Sequence, residues 1–441
     1  MLSQEAENNI AEYIADRIND LNTKILQRIG ENIDIISKLS PSDAYRVGQL
    51  LKYGGSYNEL LKEISRISGL SIEDVNSIFE RIAIENKDFA QQFYRYRYMD
   101  FVPYERDYAL RRQVNSISEL TNELFRNISN THTIGYVFED LNGNRTFHNI
   151  QETYQKLIDE SIIAVTQGKE TFASTMKNTL ETLGGSGLVE YESGHTRRLD
   201  SAVRMNILDG IRQLNMENSK QFGAEYGADG VEISVHENPA PDHEDIQGRQ
   251  FKQEEFDKLE AGEEAYDVNG VKYDGHDKRQ IGHYNCYHKT FAIIVGVSEP
   301  EYTDEQLKEI QQRNTDGFEY EGKHYTMYEG TQLQRRIETE IRRQKDKVIL
   351  AKASGDAGKE IAEKSQKKID ILANKYNKLC QVSRLPTKLE RMRVNGYKRI
   401  KIQSYWLLIF IMLKLNQREI KIRRWENGKW YWRRLENHRW P

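Results

Sequence analysis

A predominantly α-helical α+β fold is what this 441-residue chain predicts, with long N-terminal helices, a small central α+β module with hairpins, and long charged C-terminal helices. Three observations carry the prediction. Apolar residues recur at three- and four-residue steps over long stretches; prolines number only seven; and short alternating runs flank turn dipeptides such as Asn-Gly. Hydrophobic content of 38% beside 30% charged residues is lean for one large core and suits long, partly exposed helices.

The elements follow in order. Ile10, Ile14, Ile18, Leu21, Ile25 and Ile29 place one apolar stripe along a first long helix, which Ser40-Pro41 ends. Helices are then expected over Asn58 to Ile67 and Ser71 to Tyr98, the second opening on SIEDV with Ser71 as N-cap and Asp74 in an acidic first turn. The run FYRYRYMDFVPYERDY (Phe93 to Tyr108) ends one helix, crosses Pro103 and begins another. Tyr and Arg suit both nucleotide stacking and protein interfaces, and a protein-contact surface is the favoured reading. GYVFEDLNGNR, with Asn142-Gly143 at its turn, reads as a hairpin or hinge. Helical pattern resumes from Ile150 to Thr182 and breaks at LGGSG. LVEYESG (Leu188 to Gly194) is extended, and a long helix runs from about Arg198 to Tyr226. VEISVHE (Val231 to Glu237) alternates like a strand, and AYDVNGVKYDG (Ala265 to Gly275) is a hairpin turning at Asn269-Gly270. Helices over Asp304 to Arg313 and Thr331 to Gln381, the latter interrupted at Ser354-Gly355-Asp356, flank a further hairpin with Glu321-Gly322 at its turn. The expected division is 1–133 helical, 134–230 helical middle, 231–300 His/Cys module, 301–403 hairpin and charged helices, and 404–441 a basic Trp-rich tail.

Net charge is −4, but nine Lys/Arg against three Asp/Glu give residues 404–441 a charge of +6, leaving −10 on the remainder. An acidic body with a basic tail is compatible with a body that sits near DNA without gripping it. Two cysteines, Cys286 and Cys380, exclude a disulfide framework and point to a reducing cytoplasm. MLSQEAENNI lacks the basic-then-apolar pattern of a signal peptide. The longest apolar run, YWLLIFIML (Tyr405 to Leu413), is nine residues, well short of the roughly 20 that a membrane span needs. All five tryptophans lie in the tail among Arg and Lys. That composition suits an interfacial or DNA-contacting arm, although a divergent or frame-shifted extension explains the abrupt change better.

Five of the ten histidines, His236, His243, His276, His283 and His288, fall between residues 236 and 288, with Cys286 among them. Zinc takes thiolate and imidazole in tetrahedral sets, so His236, His243, Cys286 and His288 are the candidate metal ligands and zinc the candidate cofactor. A metal-dependent nuclease would draw instead on Asp242, His243, Glu244 and Asp245. The alternative assignment is a loop stiffened by Pro239 and Pro241 whose polar side chains satisfy its own backbone, with Gln247 bonding an adjacent strand.

Tyr191, Ser193, Gly194, Leu199, Val203 and Arg204, then His236, Pro241, His243, Gln247 and Gly248, then Asn285, Cys286 and His288 form an ordered series. This series resembles the phage minor capsid protein family, the head-morphogenesis group related to the Mu-F-like proteins of tailed phages. Arg335 to Asp356 and Arg391 to Gly396 look like that family's charged C-terminal helices and closing motif, while Asp245 and Tyr287 depart from its pattern. The resemblance implies a non-enzymatic virion component acting in head morphogenesis, made in the bacterial host cytoplasm and held in the head interior. Its implied partners are portal and capsid proteins, with residues 1–133 as the candidate contact region. Packaged DNA is a further candidate partner. The rival functions are an effector enzyme delivered with the genome, either nuclease or toxin-like, and a DNA-binding internal head protein.

Overall fold

Ile14, Ile18, Leu21, Ile25 and Ile29 are at most 3% exposed along the first helix, α1 (Gln4–Ser37). The structure is a computed structural model that describes residues 4–53, 55–96, 99–130, 133–139, 142, 144–166, 176, 180, 187–190, 196–283, 286–400, 421–426 and 429–434. Ala11, Ala15, Leu26, Ile33 and Ile36 widen the stripe, as a helix wrapped by several neighbours requires. Ser40 accepts a hydrogen bond from the Asp43 N–H at 3.3 Å and α2 (Pro41–Tyr53) starts on proline, the residue whose missing N–H costs least at a first helical position.

The next helix differs from expectation. α3 (Gly55–Tyr96) is continuous through Gly69, where two helices were expected. Ser71 does not cap: its hydroxyl donates to the Ile67 carbonyl at 2.9 Å, one turn back within the helix. Leu60, Ile64, Ile67, Val75, Phe79 and Ile82 are buried on both sides of Gly69. Their packing outweighs the roughly 1 kcal/mol that glycine costs a helix interior. α4 (Tyr108–Asn130) packs back along α3, and Asp107 Oδ1 accepts the Leu110 N–H at its start. Of the aromatic-basic run, Tyr94 and Tyr104 are buried and Tyr108 is exposed.

Strands β1 (Ile134–Glu139) and β2 (Arg145–Asn149) form the expected hairpin, followed by α5 (Ile150–Thr166). With β3 (Leu188–Glu190) and β4 (Thr196–Arg198) they make an antiparallel sheet of order β2-β1-β3-β4. α6 (Leu199–Glu225) then crosses α1, α3 and α4.

The central module is built on β5 (Gly230–Ile233), which lies between β6 (Gln250–Lys252) and β9 (Thr290–Ile293), antiparallel to both. α7 (Gln253–Glu260) and the hairpin β7 (Glu264–Tyr266) and β8 (Lys272–Asp274) complete it around Val231, Ile233, Ile246, Phe251, Phe256 and Tyr273. β5 is shorter than the alternation predicts and stops at Ile233, because the chain leaves the sheet into the proline-bearing loop.

α8 (Asp304–Asp316) and α9 (Met327–Ala353) each open on a capping box, Thr303 with Gln306 and Thr326 with Glu329, and between them β10 (Phe318–Tyr320) and β11 (Lys323–Tyr325) turn at Glu321-Gly322. α9 begins four residues before Thr331 because Thr326 and Glu329 satisfy its first free N–H groups. α10 (Lys359–Ser383) packs against α9 after the break at Gly355–Gly358. Residues 1–398 form one compact unit and Arg399–Pro441 another. In the second, β12 (Lys421–Glu426) and β13 (Lys429–Arg434) pair as an antiparallel hairpin; the apolar run Tyr405 to Leu413 lies outside the described residues. Among the described residues, no helix is long and apolar enough to cross a membrane.

Candidate metal centre

The loop from Ser234 to Gly248 is fixed by a few backbone bonds. His243 N–H donates to Ala240 O at 2.9 Å and Gln247 N–H to His243 O at 3.1 Å, winding residues 241–248 into consecutive turns. Gly248 closes the loop with φ +72°, its N–H donating to Ile233 O at 2.8 Å. A Cβ there would sit 2.6 Å from Leu307 Cδ2, so both conformation and space require glycine. Gln247, 2% exposed, accepts the His236 backbone N–H at 3.3 Å and the His288 ring Nε2 at 3.2 Å.

These turns carry His243 inward to meet Cys286 and His288, which precede β9. The three side chains are at most 4% exposed, and their donor atoms all lie within 4.8 Å of one another. Cys286 Sγ is 3.3 Å from Nδ1 of each histidine. His243 Nε2 is bonded to Arg279 O at 2.7 Å. Burial lowers the basicity of His243, and burial with the neighbouring His236 and His243 takes His288 well below the ordinary histidine range. Both rings are therefore neutral at pH 7 with lone pairs available.

The fourth expected ligand does not join them. His236 Nδ1 bonds Glu237 O at 2.8 Å, and its ring packs on that of His288 with centroids 4.2 Å apart. His276 pairs with Asp274 in solvent, and His283 lies beside Gln213. Of the nuclease set, Asp242 pairs with Arg279 at 2.6 Å and lies 3.8 Å from His243 Nε2, Glu244 accepts from the Asn314 amide at 2.6 Å, and Asp245 pairs with Lys278 at 2.7 Å. Pro241 opens the turns and Leu199 and Val203 are buried in α6. Tyr191, Ser193, Gly194 and Asn285 lie outside the described residues.

An open cavity of about 980 Å³ runs past the cluster, lined by His243, Cys286, His288, Arg279, Arg335, Lys388 and Arg391 among others. Tyr287, the residue between Cys286 and His288, lines it too. Its ring lies under the Arg212 guanidinium at 4.7 Å, and Arg204, which also pairs with Glu12 at 2.6 Å, hydrogen-bonds its hydroxyl. Burial alone pushes the phenol up, but the charges of Arg204, Arg391, Arg335 and Arg212 outweigh it and bring the pKa to about 7. Sequence reasoning missed Arg279, Arg335 and Arg391 as site residues and read Tyr287 only as a departure from a pattern. The available signal was the spacing of Arg335, Glu338 and Arg342, which shares one helical face.

No curated protein and no solved structure is significantly similar to this chain. The phage minor capsid protein 2 family matches residues 7–380, nearly the whole of the helical body and all of the central module. The chain belongs to that family, and its role is that of a structural component of a phage particle.

Proposed function

We propose that the chain acts in head morphogenesis, seated at the portal on the inner face of the head, and that it works as an assembly component rather than a catalyst. The observation that carries this reading is the family match across residues 7–380, which spans the helical body rather than one grafted module. The surface suits the role. Tyr45, Leu50, Phe89 and Tyr108 on α2, α3 and α4 are 57–81% exposed, which is how a helical body offers anchor residues to protein partners. Engagement of Asp242, Glu244 and Asp245 in pairs with Arg279, Asn314 and Lys278 leaves the loop without a free carboxylate set for phosphodiester hydrolysis.

The test compares heads assembled with and without the portal protein. The chain is expected in purified portal-containing heads at a low, fixed stoichiometry, protected from added protease, and at background in portal-less shells. Equal incorporation into portal-less shells would overturn the portal location, and digestion in intact heads would overturn the interior one.

A further inference from the structure

The hydrogen bonds around Cys286 fix which atoms carry protons. His243 Nε2 faces the Arg279 carbonyl, which only accepts, so Nε2 is the protonated nitrogen and Nδ1 holds the lone pair. Gln247 Oε1 accepts the His236 N–H, which orients its amide, and therefore accepts from His288 Nε2 as well. His288 Nδ1 then also holds a lone pair. Both lone pairs face Cys286 Sγ, which already accepts the His288 backbone N–H at 3.4 Å. One thiol proton can serve one of the two nitrogens and leaves the other, fully buried, unsatisfied.

A cation at the centre satisfies all three donors. Tetrahedral zinc, with bonds of about 2.3 Å to sulfur and about 2.0 Å to nitrogen, separates such donors by roughly 3.6 Å; the two S···N distances are 3.3 Å. One thiolate with two imidazoles is a borderline-soft set that zinc fits. The carbonyl and amide behind the rings are the outer partners that metal-bound histidines use. Three protein ligands leave one coordination position, and the residues that would hold the metal line the same cavity as Arg279, Arg335, Lys388 and Arg391. Glu5, Glu12, Glu237 and Glu390 line the cavity as well, and Glu338 acts electrostatically on both Arg335 and Arg391, but the six arginines and lysines of the lining, Arg197, Arg204, Arg279, Arg335, Lys388 and Arg391, outnumber its four glutamates. A zinc–monothiolate centre adds a further net positive charge.

We propose that His243 Nδ1, Cys286 Sγ and His288 Nδ1 bind one zinc ion whose fourth position opens on this cavity and takes an oxygen of a phosphate-class anion. His236 is a packing neighbour of that centre and not a ligand. Its Nδ1 is on Glu237 O, and its ring covers one face of His288.

Elemental analysis of the purified full-length chain should find about one zinc per chain. Substitution with cobalt(II) should give the intense visible bands of a tetrahedral ion and a sulfur-to-cobalt charge-transfer band. That band should persist in Cys380→Ser and vanish in Cys286→Ser. Because the parent spectrum itself reports thiolate ligation, the result does not depend on whether Cys286→Ser folds. Inorganic phosphate titrated into the cobalt form should shift the visible bands. In an Arg335→Gln/Arg391→Gln double variant the metal should remain and the phosphate midpoint rise roughly tenfold, two charges having been removed from the cavity. Absence of both zinc and the charge-transfer band overturns the metal site. Visible bands unmoved by millimolar phosphate, or an unchanged midpoint in the double variant, overturn the open anion position.

Discussion

Glu260, at the C-terminal end of α7, shows how a single buried group ties stability to pH. Its Oε1 accepts the Ile281 N–H at 3.0 Å, and desolvation raises its pKa to about 7, from an ordinary value of 4.5. The folded chain thus holds this proton more tightly than the unfolded chain does. The contribution is fully present below about pH 4.5 and is lost as pH rises through about 7. Glu260→Gln keeps the acceptor and cannot ionise. It should therefore match the parent near pH 4.5 and be more stable at pH 8, by on the order of 1–2 kcal/mol once solvent screening discounts the full shift. Urea midpoints of the two chains across pH 4.5 to 8 provide the check, and parallel curves would remove Glu260 as the cause. The same residue scale explains what was legible around the site. His243, Cys286 and His288 announce themselves by chemistry and clustering. Gln247 and Gly248 stand out as a pair, but their work, holding His288 and making a left-handed turn against Leu307, depends on contacts that no local spacing encodes.

Elements were legible where one face repeats and illegible where a neighbour decides. The stripes of α1 and α6 sit where periodicity puts them. α3 runs through Gly69 because residues on both sides of it are buried against neighbouring helices, a fact absent from the glycine itself. The start of α9 was readable in Thr326 and Glu329, a capping-box spacing overshadowed by the adjacent hairpin pattern. What joins elements is harder to see in a sequence. Arg198, where β4 meets α6, pairs with Asp200 at 2.7 Å and with Asp346 of α9, and Arg342 of α9 pairs with Asp200 at 2.9 Å. Asp346 is fully buried and Arg198 nearly so. Two arginines and two aspartates neutralise one another, and deleting one member strands a charge out of water. Asp346→Ala should destabilise the chain by about 3–5 kcal/mol, whereas Arg198→Met combined with Asp346→Leu should cost less than the sum of its single changes. A loss below about 1 kcal/mol for Asp346→Ala in urea unfolding would show that the quartet is not holding β4 and α6 to α9.

At the scale of the molecule, the segment after α10 returns to the first helix. Asn19 donates to Arg393 O at 3.3 Å, Thr23 to Asn395 O at 2.7 Å, and Asn395 back to Asp16 O at 3.3 Å, while Lys345 of α9 donates to Met392 O at 2.6 Å. Leu385, Met392 and Val394 are buried along the way. Sequence separation of more than 370 residues between α1 and this strap hides the pairing from any local pattern. The strap closes the compact unit of residues 1–398, and Arg399–Pro441 forms a unit of its own. Two truncations separate these parts. A chain ending at Gln403 keeps every one of those contacts, and its melting temperature should equal that of the full chain. A chain ending at Ser383 gives up three buried side chains, worth on the order of 5 kcal/mol at ~1.5–3 kcal/mol each, together with the bonds to α1 and α9. It should melt about 5 °C lower or more and lose protection from protease in α1. Equal melting of the Ser383 chain would mean that the strap rests on the body without stabilising it. A large loss in the Gln403 chain would mean that the basic, Trp-rich tail supports the fold.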